Sequence, residues 1–412
     1  MKKWLISLSI IFGVGFITSA ALAGKVYYSD LQTYKDYDKQ IINTQNLENL
    51  YIHSDVPVEV QVTNGQPYVE FTQTFTDLIG MAPKYQLKVE EKGNSTQILL
   101  TQIEDVLFGI GIRESEAKLT VYLPEGTLER VDIDSQNSAL LNSRNQMINL
   151  EGIDIGELNI NTAKADINLK GNYKKVNILA ANNSSLNMTS ESPVKLYTEC
   201  LSKQHIEGAF EKIDIKGSYG VVNINSLQPC RVELENNNGT VQLEGQYEKL
   251  DLKGRHMEAE LESQTQCKLN TQGYDNMIYA NGAFRTMNLE EAESEIEIQT
   301  TVIPDSIRML EEANRSLLSL TLPSNIPGIT LKYINPNGGA YDYYNEEDNI
   351  QPSFMDHQFK LESEFLPINK SIENGHFVYK YGKGEIPILI NQNSDIVLEL
   401  IDGGYTSVSQ SE

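Results

Sequence analysis

The sequence predicts an all-β protein. It reads as a single-stranded right-handed β-helix, or β-solenoid, made of 37-residue double-coil repeats and preceded by an N-terminal membrane helix. Three observations predict it. Apolar and polar residues alternate with a period of two through most of the chain after Leu50. One phrase recurs as "GNYKKVNI" from Gly171, "GAFEKIDI" from Gly208, "GQYEKLDL" from Gly245 and "GAFRTMNL" from Gly282, each start 37 residues after the last. And Lys2 and Lys3 precede Trp4 to Ala23, twenty residues without a charge.

The elements follow in chain order. Residues 1–24 form a signal or transmembrane anchor: two positive charges ahead of an apolar run send the rest of the chain across a membrane. At about 1.5 Å per residue the run spans the roughly 30 Å hydrocarbon core, and Ala21-Leu22-Ala23 also fits a signal-peptidase site. The body is therefore expected outside a single-pass cell membrane or, after cleavage at Ala23, secreted. No Cys follows the run, which excludes a lipoprotein. Residues 25–49, polar, Tyr-rich and weakly periodic, read as a juxtamembrane stalk or short helix. Residues 50–125 form an N-terminal β cap module, in which "YVEFTQTF" and "YQLKVEEKGNSTQILL" alternate around a turn at Glu91 to Asn94. "DVLFGIGIRE" reads as an ordered loop or short strand.

Residues 126–302 carry the solenoid repeats. Counting each Gly as zero, positions 5 and 7 are Val176/Ile178, Ile213/Ile215, Leu250/Leu252 and Met287/Leu289, all apolar. Between them stand Asn177, Asp214, Asp251 and Asn288, which a strand turns to the opposite side. The aromatics Tyr173, Phe210, Tyr247 and Phe284 make a second packed layer, and each Gly suits a corner with positive φ. With "VVNIN", "RVELE" and "TVQLE", one unit holds four short strands, too polar in their linkers for propeller blades and without the spacing of helical repeats. An earlier copy, "GTLERVDI" from Gly126, stands 45 residues before Gly171, so that interval holds eight extra residues, placed within "NSRNQMINLEGID". Residues 303–412 form a C-terminal β module that opens with a short helix or loop over Ile307 to Leu317.

Charge excludes some partners. Lys plus Arg number 33 against 57 Asp plus Glu, a formal charge of −24. Nucleic acid is thereby excluded as a partner, as is docking of the body on anionic lipid.

The segments "NLYIHSDVPVEVQV", "LTVYLPEGTLERVDIDSQNS", "SLTLPSNIPGITLKYINPNGGAYDYY" and "YGKGEIPILINQNSDIVLELI" resemble the LiaG-like family of candidate adhesins, a bacterial envelope family of unknown biochemical function. The likeness runs over roughly residues 47 to 402. It implies an extracytoplasmic, often membrane-tethered β-helix and supplies no catalytic residues. One departure is plain: the family's Gly before Asp is missing around Asn391, Asn393, Ser394 and Asp395.

The histidines His53, His205, His256, His357 and His376 lack metal-ligand spacing, so no metal site is expected. Cys230 and Cys267 occupy equivalent repeat positions, beyond disulfide reach at about 9.6 Å over two coils, and read as small buried hydrophobes, with Cys200 elsewhere in its unit. Carboxylates at Asp132, Asp134, Asp214, Asp251 and Glu258/Glu260/Glu262 evoke β-helix enzymes that cleave acidic polysaccharides with paired acids. But Lys212, Lys216, Lys249 and Lys253 alternate with the acids as on a solvated, self-neutralising face. No cofactor is expected, apart from weak Ca²⁺ binding on stacked carboxylates. The candidate ligand-binding column is Asn177, Asp214, Asp251 and Asn288. The reading is a non-enzymatic adhesin-like or scaffold protein of the cell envelope, serving adhesion, scaffolding or envelope-stress sensing, with an envelope protein or glycan as partner. The alternative is a carbohydrate-binding or polysaccharide-cleaving β-helix.

Overall fold

The computed structural model describes residues 32–42, 47–77, 84–104, 114–124, 126–135, 146–180, 183–309, 315–334, 359–361, 369–373, 376–391 and 394–401. The expected anchor over 1–24 and the loop over 105–113 lie outside the described residues. Among these residues every regular element is a β-strand. The chain divides into two compact units, Met1–Ile153 and Asp154–Glu412.

In the first unit, parallel strands stack as the alternation requires. Asn49–Ser54 lies between Ser95–Glu104 and Thr127–Ser135, so that Ile52 pairs with both Ile98 and Ile133. Val58–Thr63 lies between Glu114–Pro124 and Gln146–Glu151, where Val60 pairs with Val121 and Leu150. All these side chains are buried. The turn at Glu91 to Asn94 closes the antiparallel hairpin of Lys84–Lys92 with Ser95–Glu104, with Gly93 at φ +63°. Residues 32–41 correct the stalk expectation. They form the strand Gln32–Ile41, antiparallel to Tyr68–Asp77 along its whole length. Its charges, Lys35, Asp36, Asp38 and Lys39, break the alternation, as suits a strand with one neighbour.

The second unit is a β-solenoid. Six consecutive strands, Ser185–Glu199, Lys203–Ser218, Val221–Asn237, Thr240–Arg255, Glu258–Tyr274 and Met277–Ala292, pair in parallel, each with the next. The pairing register shifts midway, for example between Gly208 and Lys212 and between Gly245 and Lys249, so each turn has two straight segments joined by a bend. Along the first segments Ile206, Ile224, Leu243, Leu261, Ala280 and Ile298 stack in one apolar column. Along the second, Leu196, Ile213, Val232, Leu250, Leu269 and Met287 stack in another. Lys212 pairs with Arg231, Arg231 with Lys249, Lys249 with Lys268 and Lys268 with Thr286, offsets of 19, 18, 19 and 18 residues.

Those two offsets reflect two kinds of bend. Gly208, Gly245 and Gly282 have φ of +126°, +131° and +139°, a region a side chain rarely adopts. They also sit against the turn before: a Cβ on Gly245 would lie 2.2 Å from the Ser226 carbonyl oxygen. The intervening bends carry Ser226 and Ser263, whose hydroxyls donate to the carbonyls of Gln228 and Thr265 at 2.8 and 2.9 Å. One extra residue there brings Cys230 level with Tyr247 and Cys267 level with Phe284, all buried. Polarisable sulfur thus fills the space between stacked aromatics. Gly171, the first of the four repeat glycines, is not among those with positive φ.

Parallel stacking also extends past the expected end of the solenoid at 302. Ile307 pairs with Met287 and Ile388, and Leu320 with Ile298 and Leu398. Ile307 to Met309 is strand rather than helix, because Ile307 and Met309 alternate inward at 0% exposure. Antiparallel strands Asn369–Glu373 and His376–Gly382 lie beyond Gly328–Ile334.

Candidate functional site

The second straight segments bring all four predicted residues into one outward column. The register runs Asn177, Tyr197, Asp214, Glu233, Asp251, Asn270, Asn288, Arg308. No two of the predicted four touch directly except through the intervening turn, whose residues the repeat phrase does not contain: Tyr197, Glu233 and Asn270 were missed for that reason. The first consequence is a run of three carboxylates, Asp214, Glu233 and Asp251, on successive turns about 4.8 Å apart.

Beside it stands a basic column. Lys175, Lys195, Lys212, Arg231, Lys249 and Lys268 occupy the equivalent position on six successive turns. Lys212 reaches Glu233 at 2.9 Å and Asp214 at 3.8 Å, and Lys249 reaches Asp251 at 2.5 Å. The hydrogen bond to Glu233 is the main reason the Lys212 ammonium titrates above its ordinary range. Amides extend the ladder: Asn270 donates to Asp251 Oδ1, and Asn288 Nδ2 to Asn270 Oδ1 at 2.8 Å. An open groove of about 670 Å³ lies over these side chains. Its carboxylates are partly exposed and matched by cations or amides, whereas a general acid at neutral pH needs a desolvated carboxyl. The arrangement neutralises itself. Exposed pairs of this kind contribute about 0–1 kcal/mol each.

The other expected carboxylates lie elsewhere. Glu258, Glu260 and Glu262 project from the first segment of their turn, before the bend, with Gln242 and Tyr279 beside Glu260. Asp132 is held by Arg130 at 2.9 Å and Asp134 by His53 at 3.2 Å, both in the first unit. Among the described residues no group of three or more His, Cys, Asp or Glu could hold a metal ion, so the stacked acids offer no preformed Ca²⁺ site. Cys230 and Cys267 are free thiols whose burial pushes them up to about 11 and about 12, which makes them poor nucleophiles.

Sequence reasoning also missed Glu291. It follows Leu289 in the run "NLEEAES", where a Glu reads as surface, yet it is wholly buried. Asn276 Nδ2 donates to its Oε2 at 2.8 Å and Ser294 Oγ at 3.2 Å, and the Thr271 hydroxyl stands beside the carboxyl. Burial is the largest influence and pushes the carboxyl up to about 7.

The model of the Toastrack DUF4097 family matches residues 48–402. The chain belongs to that family. The span agrees with the resemblance seen in the sequence. No curated protein matches this Toastrack chain. Several solved structures are similar to it, three of them as follows. A candidate cell adhesion protein from Clostridium sporogenes shares 11% identity, with 89% of this chain and 100% of that one covered and a TM-score of 0.20. A candidate adhesin from Parabacteroides distasonis shares 12% over 65% and 97%, with a TM-score of 0.35. A candidate adhesin from Parabacteroides merdae shares 11% over 64% and 96%, with a TM-score of 0.30. At such scores the likeness assigns nothing to this chain.

Proposed function

We propose that this Toastrack chain is a non-enzymatic adhesin-like or scaffold protein of the bacterial cell envelope, held at the membrane by residues 1–24 with residues 25–412 outside, or secreted after cleavage at Ala23. Adhesion, scaffolding and envelope-stress sensing are the roles this placement serves. The observation that supports the reading is the column Asn177 to Arg308: a row of polar groups whose three carboxylates are each met by a lysine of the chain. Such a row presents a surface and leaves no isolated acid–base pair to turn over a substrate. A second reading, polysaccharide cleavage, draws on one observation, the three stacked acids Asp214, Glu233 and Asp251.

Placement is tested by adding protease to intact spheroplasts. Digestion of the body, with residues 2–3 protected, is expected; full protection of the chain sinks the proposal.

A further inference from the structure

The return corners of the solenoid carry a second feature. One non-glycine residue per turn has positive φ there: Tyr219 at +59°, Asn238 at +54°, His256 at +51°, Asp275 at +52° and Glu293 at +51°. Asn, Asp and His tolerate this region better than most, whereas Tyr does not. At the opposite bends the chain uses Gly for positive φ. Tyr219 is nevertheless 77% exposed. Its strained backbone contributes nothing to the fold that Gly would not contribute with less strain.

A groove of about 1120 Å³ opens beside it. Its lining includes Tyr219, Asn237, Asn238, Arg255, His256 and Tyr274. Ser218, Asn237, Arg255 and Tyr274 mark successive turns, so the two tyrosines stand three turns apart, roughly 14 Å at the strand spacing. Tyr274 is held in place: its hydroxyl donates to Glu293 at 2.6 Å and its ring meets His256 edge-on at 6.1 Å. Asn237 is held by the Arg255 N–H, which donates to Oδ1 at 3.1 Å, and His256 by Asp275 at 2.8 Å. Between two exposed aromatic rings lie the Asn237 amide and the His256 imidazole, each held by a hydrogen bond, with the Arg255 side chain in the lining beside them.

The geometry points to a binding site for a neutral oligosaccharide chain along this corner groove. The C–H face of a sugar ring is apolar and lies flat on an aromatic ring, while its hydroxyls need donors and acceptors at the rim, the usual pattern of a small-molecule groove. The lining sets Lys253 and Arg255 against Glu235, with Asp275 engaged by His256 close by, and a net charge of −24 repels polyanions, so a neutral glycan is favoured over an acidic one. The inference gives a ligand class to the envelope role proposed above. It rests on that role only for the glycan's being within reach.

The test titrates the full chain, purified in a non-glycosidic detergent, with chitohexaose and with cellohexaose by calorimetry, the two arms separating N-acetylated from plain hexose chains. Saturable binding of one is expected. Tyr219→Ala and Tyr274→Ala each weaken it by about tenfold or more, while Tyr279→Ala, an exposed tyrosine on the first straight segments, leaves it unchanged. Tyr219→Gly is the sharper variant, since it removes the backbone strain and the ring together: melting temperature rises and binding falls. No binding of either hexasaccharide at millimolar concentration overturns the inference, as does binding that survives both Tyr219→Gly and Tyr274→Ala. Because this titration is independent of topology, it and the spheroplast experiment can fail separately.

Discussion

Replacing Glu291 by Gln should flatten a pH dependence that the native chain carries in its core. The carboxyl is wholly buried and held up to about 7, against an ordinary value of 4.5, chiefly by loss of water. Below about pH 4.5 it is protonated both folded and unfolded and carries no penalty. Between 4.5 and 7 the unfolded chain releases the proton while the folded chain keeps it, so stability falls as pH rises. Above about 7 both forms are ionised and the loss is constant. At about 1.4 kcal/mol per tenfold change in proton affinity, the loss amounts to roughly 3 kcal/mol. Gln keeps the shape, accepts from Asn276 and can reach the neighbouring Thr271 hydroxyl, and it has no titrating proton. Urea unfolding of both proteins at pH 5, 6, 7 and 8 isolates the group, because other titrations cancel in the difference. The variant should gain about 2–3 kcal/mol relative to the native protein between pH 5 and 8. A difference that stays the same at all four values refutes the account of Glu291.

Ile213→Asp places a charge at a fully buried position between Leu196 and Val232 and should cost on the order of 3–5 kcal/mol; an unshifted melting curve contradicts the stacking register. Gly245→Ala drives a Cβ to 2.2 Å from the Ser226 carbonyl oxygen at φ +131° and should cost more than about 1 kcal/mol, read as a lowered melting temperature. Gly65→Ala is its control, since a Cβ there meets nothing nearer than 3.6 Å. Asp214→Asn and Asp251→Asn alter exposed pairs and should each move stability by less than about 1 kcal/mol in chemical unfolding.

Much of the solenoid was legible because burial imposes a period of two on any strand packed on one face. Val176, Ile213, Leu250 and Met287 announced the core, and Asn177, Asp214, Asp251 and Asn288 the outer column. The intervening turns were harder to read. Their bend replaces Gly and an aromatic with Ser and Cys one residue further on, so Glu233 and Asn270 did not align with the phrase although they stand in the same column. Glu291 was illegible because burial of a carboxyl depends on a proton and on partners, Asn276 and Ser294, whose approach only the coil establishes. Gln32–Ile41 was missed because its pairing with Tyr68–Asp77 depends on a partner distant in the chain, and its charges hide the alternation. The return corners gave little signal, since Tyr219 and Glu293 are not types that favour positive φ.

The central claim is that the ladder of Asp214, Glu233 and Asp251 presents a surface and does not catalyse. The direct measurement incubates the purified chain with acidic and neutral polysaccharides, with and without Ca²⁺, and follows new reducing ends over time. The account predicts none above a protein-free control, with Asp214→Asn and Asp251→Asn indistinguishable from the native chain. Turnover that disappears in either variant would contradict it and make the stacked carboxylates a catalytic site.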